Sequence, residues 1–226
     1  SGVIDAHATA VANADLILPV GDRFTEELVS GRFDDWPDLV PSRQTIDMVR
    51  AKHADGRVRP ICNPIDPKDL PENQAFLEHQ FSHLTRDVVE AKRLNRCALQ
   101  RACGLVEAED RIVVAWTSRL DQSQKGIGDL IEVLPGLLRD HPLVQVVVIG
   151  DAPSDQKRYE QQLTTLMSTH PGRMHYQPFE QEASDKLYAQ ADIVASASRR
   201  EPFGLFMTQA VAAGSIVAAP ANGGTL

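Results

Sequence analysis

The sequence predicts an α/β fold built on a doubly wound parallel sheet, and three observations carry that prediction. After Gly104, short apolar runs alternate with amphipathic stretches of helical spacing. The two strongest runs, Ile112-Val-Val-Ala-Trp116 and Val144-Gln-Val-Val-Val-Ile149, are nearly continuous in apolar residues, as in strands covered on both faces. Most runs are followed by a turn rich in Gly, Ser, Asp or charged residues before the next helical pattern begins.

The elements read as follows. Residues 1–14 are alanine-rich and polar enough for a surface helix. Ala14-Asp-Leu-Ile-Leu-Pro-Val20 reads as a short buried strand closed by Gly21, and Phe24 to Val29 as a helix. Residues 30–43, with Gly31, Trp36, Pro37 and Pro41, read as a loop, Thr45 to Lys52 as a short helix, and Arg57 to Cys62 as a weak strand. The proline-rich stretch Asn63-Pro-Ile-Asp-Pro-Lys-Asp-Leu-Pro71 cannot be helix or central strand and is the expected hinge. From Glu72 to Cys103 the spacing of Phe76, Phe81, Leu84, Val88, Leu94 and Leu99 predicts a helix capped by Gly104. Beyond it the alternation predicts strands at 112–116, 144–149, 174–176, 192–195 and 216–219. Helices are expected at 129–138, 157–167, 184–190 and 205–213.

The totals exclude several classes. The chain has 226 residues, 42% apolar and 24% charged, which is ordinary for a globular protein. Its formal net charge of -8 argues against a nucleic-acid or anionic-membrane partner, since either needs a basic stripe. No apolar run has the length of a membrane span. Three cysteines without a CxxC spacing exclude a disulfide framework and point to a reducing, cytoplasmic compartment. The chain begins without Met and stops at Asn222-Gly-Gly-Thr-Leu226, where another strand-to-helix turn begins. A fragment of a longer protein is the expectation.

Ligands of open α/β sheets bind at the carboxyl ends of the strands, so the polar turns there hold the candidates. Thr117-Ser-Arg-Leu-Asp-Gln-Ser-Gln-Lys-Gly126 places Arg119 and Lys125 between a strand and a helix. Two such cations suit a diphosphate, Arg as a bidentate fork and Lys as a point charge. Two solvated surface cations fit the same spacing. Ser196-Ala-Ser-Arg-Arg-Glu-Pro-Phe-Gly-Leu205 places Glu201 and Pro202 at a helix start, where Glu201 either serves a ligand or simply favours the helix dipole. Gly223-Gly224 either lets the backbone approach a ligand or makes a plain turn. His79 and His83, four apart on the predicted helix, lack a third ligand and an HExxH pattern. There is no GxGxxG, P-loop or GxSxG signature.

Taken in order, Ser118-Arg-Leu-Asp, Gln124-Lys-Gly126, Val148-Ile-Gly150, Tyr188-Ala-Gln-Ala-Asp-Ile193, Ser198-Arg-x-Glu-Pro-x-Gly-Leu205 and Gly223-Gly224 resemble the bacterial glycogen synthases and plant starch synthases. These are retaining glycosyltransferases of two Rossmann-like domains (GT-B). Upstream, Asn63-x-Ile-Asp66 and Asn95-Arg-Cys-Ala-Leu-Gln100 extend the resemblance, which runs from about Ala14 onward. It implies that 1–70 is the tail of an acceptor-side domain with its linker, 71–104 a helical linker region, and 105–226 an incomplete nucleotide-sugar-binding domain.

The implied reaction moves glucose from ADP-glucose or UDP-glucose to an α-1,4-glucan with retention, without metal or cofactor, in the cytoplasm or in a plastid. Arg119 and Lys125 would hold the donor diphosphate, Glu201 would orient the glucose, and Phe203, Gly204 and Leu205 would meet sugar or phosphate through their amides. Ser118, Gly126, Arg199, Gln209, Gly223 and Gly224 complete the implied set. The sequence departs from the family's usual pattern at Arg200, where an aromatic residue is usual, at Phe203, where Cys is, and at Gln209, where the broader group has a second Glu. Phe203 and Asn222-Gly-Gly224 look closer to the sucrose synthases, so a transferase with a small acceptor is one alternative. A non-catalytic nucleotide-sugar or glucan-binding module is another. The Lys-x-Gly-Gly-Leu loop of the first domain is absent, and the chain alone is expected to be inactive.

Overall fold

A computed structural model describes residues 5–32, 42–82, 84 and 87–225. Residues 33–41 of the loop expected at 30–43, with Trp36, Pro37 and Pro41, the candidate ligand His83, and Leu226 lie outside the described residues. The chain forms two compact units. One holds Ser1–Pro64, Arg200–Gly204 and Ala221–Leu226; the other holds Ile65–Arg199 and Leu205–Pro220.

The second unit is the predicted α/β fold. Its five strands are β1 (Ile112–Thr117), β2 (Val144–Ile149), β3 (Met174–Gln177), β4 (Ile193–Ala195) and β5 (Ile216–Ala218). They lie in the order β3-β2-β1-β4-β5, and every pairing is parallel. The register Val113↔Gln145 through Thr117↔Ile149 sets the two longest strands side by side. Alternation then sorts their side chains between two cores. Val113, Ala115, Val147 and Ile149 join Leu99, Leu187 and Ala210, which belong to α4 (Val88–Ala102), α7 (Gln181–Gln190) and α8 (Leu205–Ala212). Trp116, Val146 and Val148 join Leu134, Leu138 and Leu163 of α5 (Ile127–Asp140) and α6 (Arg158–Thr169). Helices thus cover both faces, which is why the strand sequences are continuous in apolar residues.

The helix expected from Glu72 is a correction. Residues 72–82 are turns and bends, and the helix begins only at Val88. The apolar spacing does not describe one buried stripe: Leu77 and Phe81 enter the core, while Leu84 is 85% exposed. The backbone of His79 is held instead by Asn95, whose Oδ1 accepts from the His79 amide and whose Nδ2 donates to its carbonyl. His79 is therefore not on a helix.

The first unit carries α1 (Ala6–Asn13), α2 (Asp22–Ser30) and α3 (Arg43–Ala54) around a small core of Leu28, Ile46, Val49 and Val58. The strands expected at 14–20 and 57–62 shrink to two isolated parallel bridges, Ile17↔Val58 and Val20↔Ile61. Leu16 and Leu18 point outward at these short pairings, and Pro19 has no amide to give a ladder.

Candidate functional site

The strand order reverses at β1. From there the chain winds outward through β2 and β3, then returns to place β4 and β5 on the other side. The turns after β1 and β4 flank this switch point, where open sheets bind ligands.

The turn after β1 folds around Asp121. This buried carboxylate accepts through Oδ1 from the Gln124 amide at 2.8 Å, the Ser123 hydroxyl at 3.2 Å and the Lys125 amide at 3.4 Å. Leu120 is fully buried and donates its amide to the Asp151 carbonyl, and the Ser118 amide donates to the Ile149 carbonyl. Arg119 lies between these anchored residues with its guanidinium exposed. Its Nη2 donates to Gln124 Oε1 at 2.6 Å and stands 3.8 Å from Asp121 Oδ2. Lys125 immediately precedes Gly126, the left-handed residue (φ 66°) that opens α5. In the sequence Asp121 appears only within the Ser118-Arg-Leu-Asp run, although an Asp in a turn, able to accept from the backbone that follows it, is itself a turn signal.

The turn after β4 closes on the same place. A Cβ on Gly126 would stand 2.4 Å from the Ala197 carbonyl oxygen, so only glycine permits this approach. The Arg199 amide donates to the Gln124 carbonyl at 2.8 Å. Its guanidinium spans the Asp129 carboxylate in the first turn of α5. Partial desolvation pulls the Asp129 carboxyl upward, but hydrogen bonds from Arg199 and Gln122 and the Arg199 charge bring it below the ordinary carboxylate value.

Beside these turns is a cavity of about 340 Å3 lined by Thr117, Ser118, Arg119, Asp151, Phe179, Ser184 and Tyr188. The Thr117 and Ser184 hydroxyls meet at 2.6 Å. Phe179, just past β3, is 48% exposed, and its amide is 3.4 Å from Asp151 Oδ1. Of this lining the sequence marks Ser118 and Arg119 as site residues, and Thr117 and Tyr188 only as members of motifs. Phe179 gives one signal in the sequence: an aromatic residue in the turn shortly after a strand. In the same unit, Leu205 is the first residue of α8, and Gln209 donates through Nε2 to Asp69 Oδ2 at 2.8 Å.

Five expected site residues lie in the first unit. Glu201 is 8% exposed, and its carbonyl accepts the Gly224 amide at 2.9 Å. A Cβ on Gly223 would stand 2.0 Å from the Glu201 carbonyl oxygen, and one on Gly224 1.6 Å from that of Phe203. The glycine pair is thus required by backbone against backbone. Phe203 packs over Gly21, and Gly204 is left-handed with φ 78°. Pro202 does not start the helix as expected: α8 begins three residues later, at Leu205, with left-handed Gly204 just before it.

Within the second unit, the guanidinium of Arg119 stands at the strand ends beside a recess that also holds the half-exposed Phe179 ring. A cation beside an aromatic surface suits, on chemical grounds, a ligand with an anionic group and a flat body. Among the described residues, no three His, Cys, Asp or Glu side chains stand close enough to share a metal. No helix among them is long and apolar enough to cross a membrane.

The family model "Glycosyl transferases group 1" matches residues 104–226. The chain is 32% identical over 226 residues to a glycogen synthase of Bordetella petrii, covering 99% of this chain and 40% of that protein. It is 28% identical over 216 residues to the granule-bound starch synthase 1 of Zea mays, covering 95% of this chain and 33% of that protein. Among solved structures, the catalytic domain of starch synthase IV from Arabidopsis thaliana, bound to ADP and acarbose, matches with a TM-score of 0.76 at 22% identity. The match covers 96% of this chain and 41% of that one. Anabaena Alr3699/HepE in complex with UDP-glucose matches with a TM-score of 0.60 at 20% identity, covering 95% and 47%. The chain therefore spans less than half the length of each of these proteins.

Proposed function

The chain belongs to the group 1 glycosyl transferases, and on that premise we propose that it is the donor-binding part of an α-glucan synthase. The longer protein would transfer glucose from ADP-glucose or UDP-glucose to an α-1,4-glucan with retention of configuration. The observation that carries this reading is the meeting of the β1 and β4 turns at the switch point, with Gly126 against Ala197 and Arg119 and Lys125 on the loop anchored by Asp121.

In this reading Arg119 and Lys125 bind the diphosphate. As the bond between the glucose anomeric carbon and the phosphate oxygen breaks, the electron pair leaves with the nucleoside diphosphate, and these cations stabilise its charge. The acceptor hydroxyl oxygen bonds the anomeric carbon on the same face, and its proton passes to the phosphate oxygen that departs. The recess lined by Phe179 and Tyr188 takes the nucleoside, with Phe179 as the stacking surface. Glu201 orients the glucose, and Ser118, Gly126, Arg199, Phe203, Gly204, Leu205, Gln209, Gly223 and Gly224 shape the donor's surroundings. In this reading Arg119 and Lys125 supply the charge that a metal would otherwise bring, so it needs none. The setting is cytoplasmic, or plastidic for a plant or algal source.

Release of nucleoside diphosphate from ADP-glucose or UDP-glucose, in the presence of malto-oligosaccharide, tests the proposal. A longer protein carrying this chain is expected to release it and to lengthen the oligosaccharide, while the chain alone does neither. Absence of both products from the longer protein with either donor contradicts the reading.

A further inference from the structure

Glu27 is a buried acid that none of the sequence motifs contains. It lies on α2 and is 3% exposed. Burial of a carboxylate is costly unless donors surround it. Here Arg32 Nη1 stands at 2.6 Å and Arg23 Nε at 3.5 Å, and the Gly223 amide lies 3.2 Å from each carboxylate oxygen. The third contact joins residues 196 positions apart in the chain.

That amide is one of a consecutive pair. Gly223 N–H points at Glu27, and Gly224 N–H donates to the Glu201 carbonyl at 2.9 Å. The turn has no slack, because both glycines press on the backbone of 201–203 at distances that exclude a Cβ. At its other end α2 meets the same segment, with the Phe203 ring 3.7 Å from where a Gly21 Cβ would be. One helix therefore fixes residues 201–203 twice, directly under Phe203 and through the glycine turn under Glu201.

We propose that Glu27 is a positioning residue for Glu201, acting through the Gly223-Gly224 turn. This rests on the reading above, in which Glu201 serves the glucose of the donor. A purely structural role for Glu27 would weaken all ligands alike or lower stability alone. A positioning role affects the sugar part of the donor and spares the nucleotide part.

The test compares wild type, Glu27→Gln and Arg32→Gln by calorimetry with a nucleoside diphosphate and its glucose conjugate, in both the adenine and uracil series. Glu27→Gln is expected to weaken the glucose conjugate about tenfold, or ~1.4 kcal/mol, with the diphosphate changed less than about twofold. It should also speed hydrogen exchange at the Gly223 and Gly224 amides. Arg32→Gln keeps the carboxylate and guards against a Glu27 variant that fails to fold; it should shift the conjugate in the same direction by less. Equal loss for both ligands, or no change in either, overturns the proposal. A folded wild type that binds neither ligand overturns the functional reading, and this inference with it.

Discussion

The guanidinium of Arg199 spans the carboxylate of Asp129, with Nη2 2.9 Å from each oxygen and Nε 3.1 Å from one. This pair ties the turn after β4 to the first turn of α5. Both side chains are over two-fifths exposed, so the pair is worth no more than about 1 kcal/mol in stability. Asp129→Asn is expected to lower the denaturation free energy by that much at most. The Asp129 carboxyl titrates below its ordinary value, so the contribution is present at neutral pH and fades only as the pH falls below about 4. Urea titrations of both proteins at neutral and acid pH check the amount and the window.

Gly126 is a harder constraint. It combines φ 66° with a Cβ position 2.4 Å from the Ala197 carbonyl oxygen. Gly126→Ala must strain the backbone or part the two turns, at a cost of roughly 1–3 kcal/mol. Nucleotide affinity should fall with stability, since Lys125 is the neighbouring residue. Melting curves with and without ADP or UDP read both effects.

Phe179 offers a separable test of the recess. Phe179→Ala is expected to weaken ADP or UDP binding by about 1–3 kcal/mol, the range for stacking a base on an aromatic ring. Pyrophosphate, which has no base, should bind it as well as wild type. Calorimetry with the three ligands distinguishes a lost stacking surface from a disturbed phosphate site.

Lys92 provides a stability prediction away from the site. Its ammonium, on α4, donates to the Ala191 and Ala213 carbonyls and to the Ser215 hydroxyl at 2.9–3.0 Å. Burial lowers its pKa to about 8, from an ordinary value of 10.5. Between those values the unfolded chain holds the proton more tightly than the folded one, so the Lys92 term favours folding increasingly as pH rises through that window. Full traverse is worth roughly 3 kcal/mol. Lys92→Met removes this term, and the difference in unfolding free energy between the two proteins should change in that direction between pH 8 and 10.5.

Much of this fold could be read from the chain. The strands Ile112–Thr117 and Val144–Ile149 announced themselves because both faces are covered, and the helices between them because one face is not. The segment before Val88 could not be read so, because Leu77 and Phe81 are buried by irregular backbone that Asn95 supports from another element. Arg119, Lys125 and Glu201 stood out as charges at turns after strands. The Asp121 carboxylate accepts from residues two to four positions on, and the sequence shows it as part of a motif without a role. Phe179 and Glu27 did not stand out, since Asp151 and Gly223 become their neighbours only when distant turns close. The Gly223-Gly224 pair was legible as a turn, but its tight fit against Glu201 and Phe203 was not.

The central claim is that the turn after β1 binds the diphosphate of a nucleotide sugar through Arg119 and Lys125. Calorimetry of this chain with ADP, UDP and their glucose conjugates tests it most directly. Saturable binding of at least one nucleotide is expected, weakened by about 1.5–3 kcal/mol in each of Arg119→Ala and Lys125→Ala through loss of a charge-assisted hydrogen bond. A folded chain that binds none of them, or binds them unchanged without those two side chains, contradicts the account.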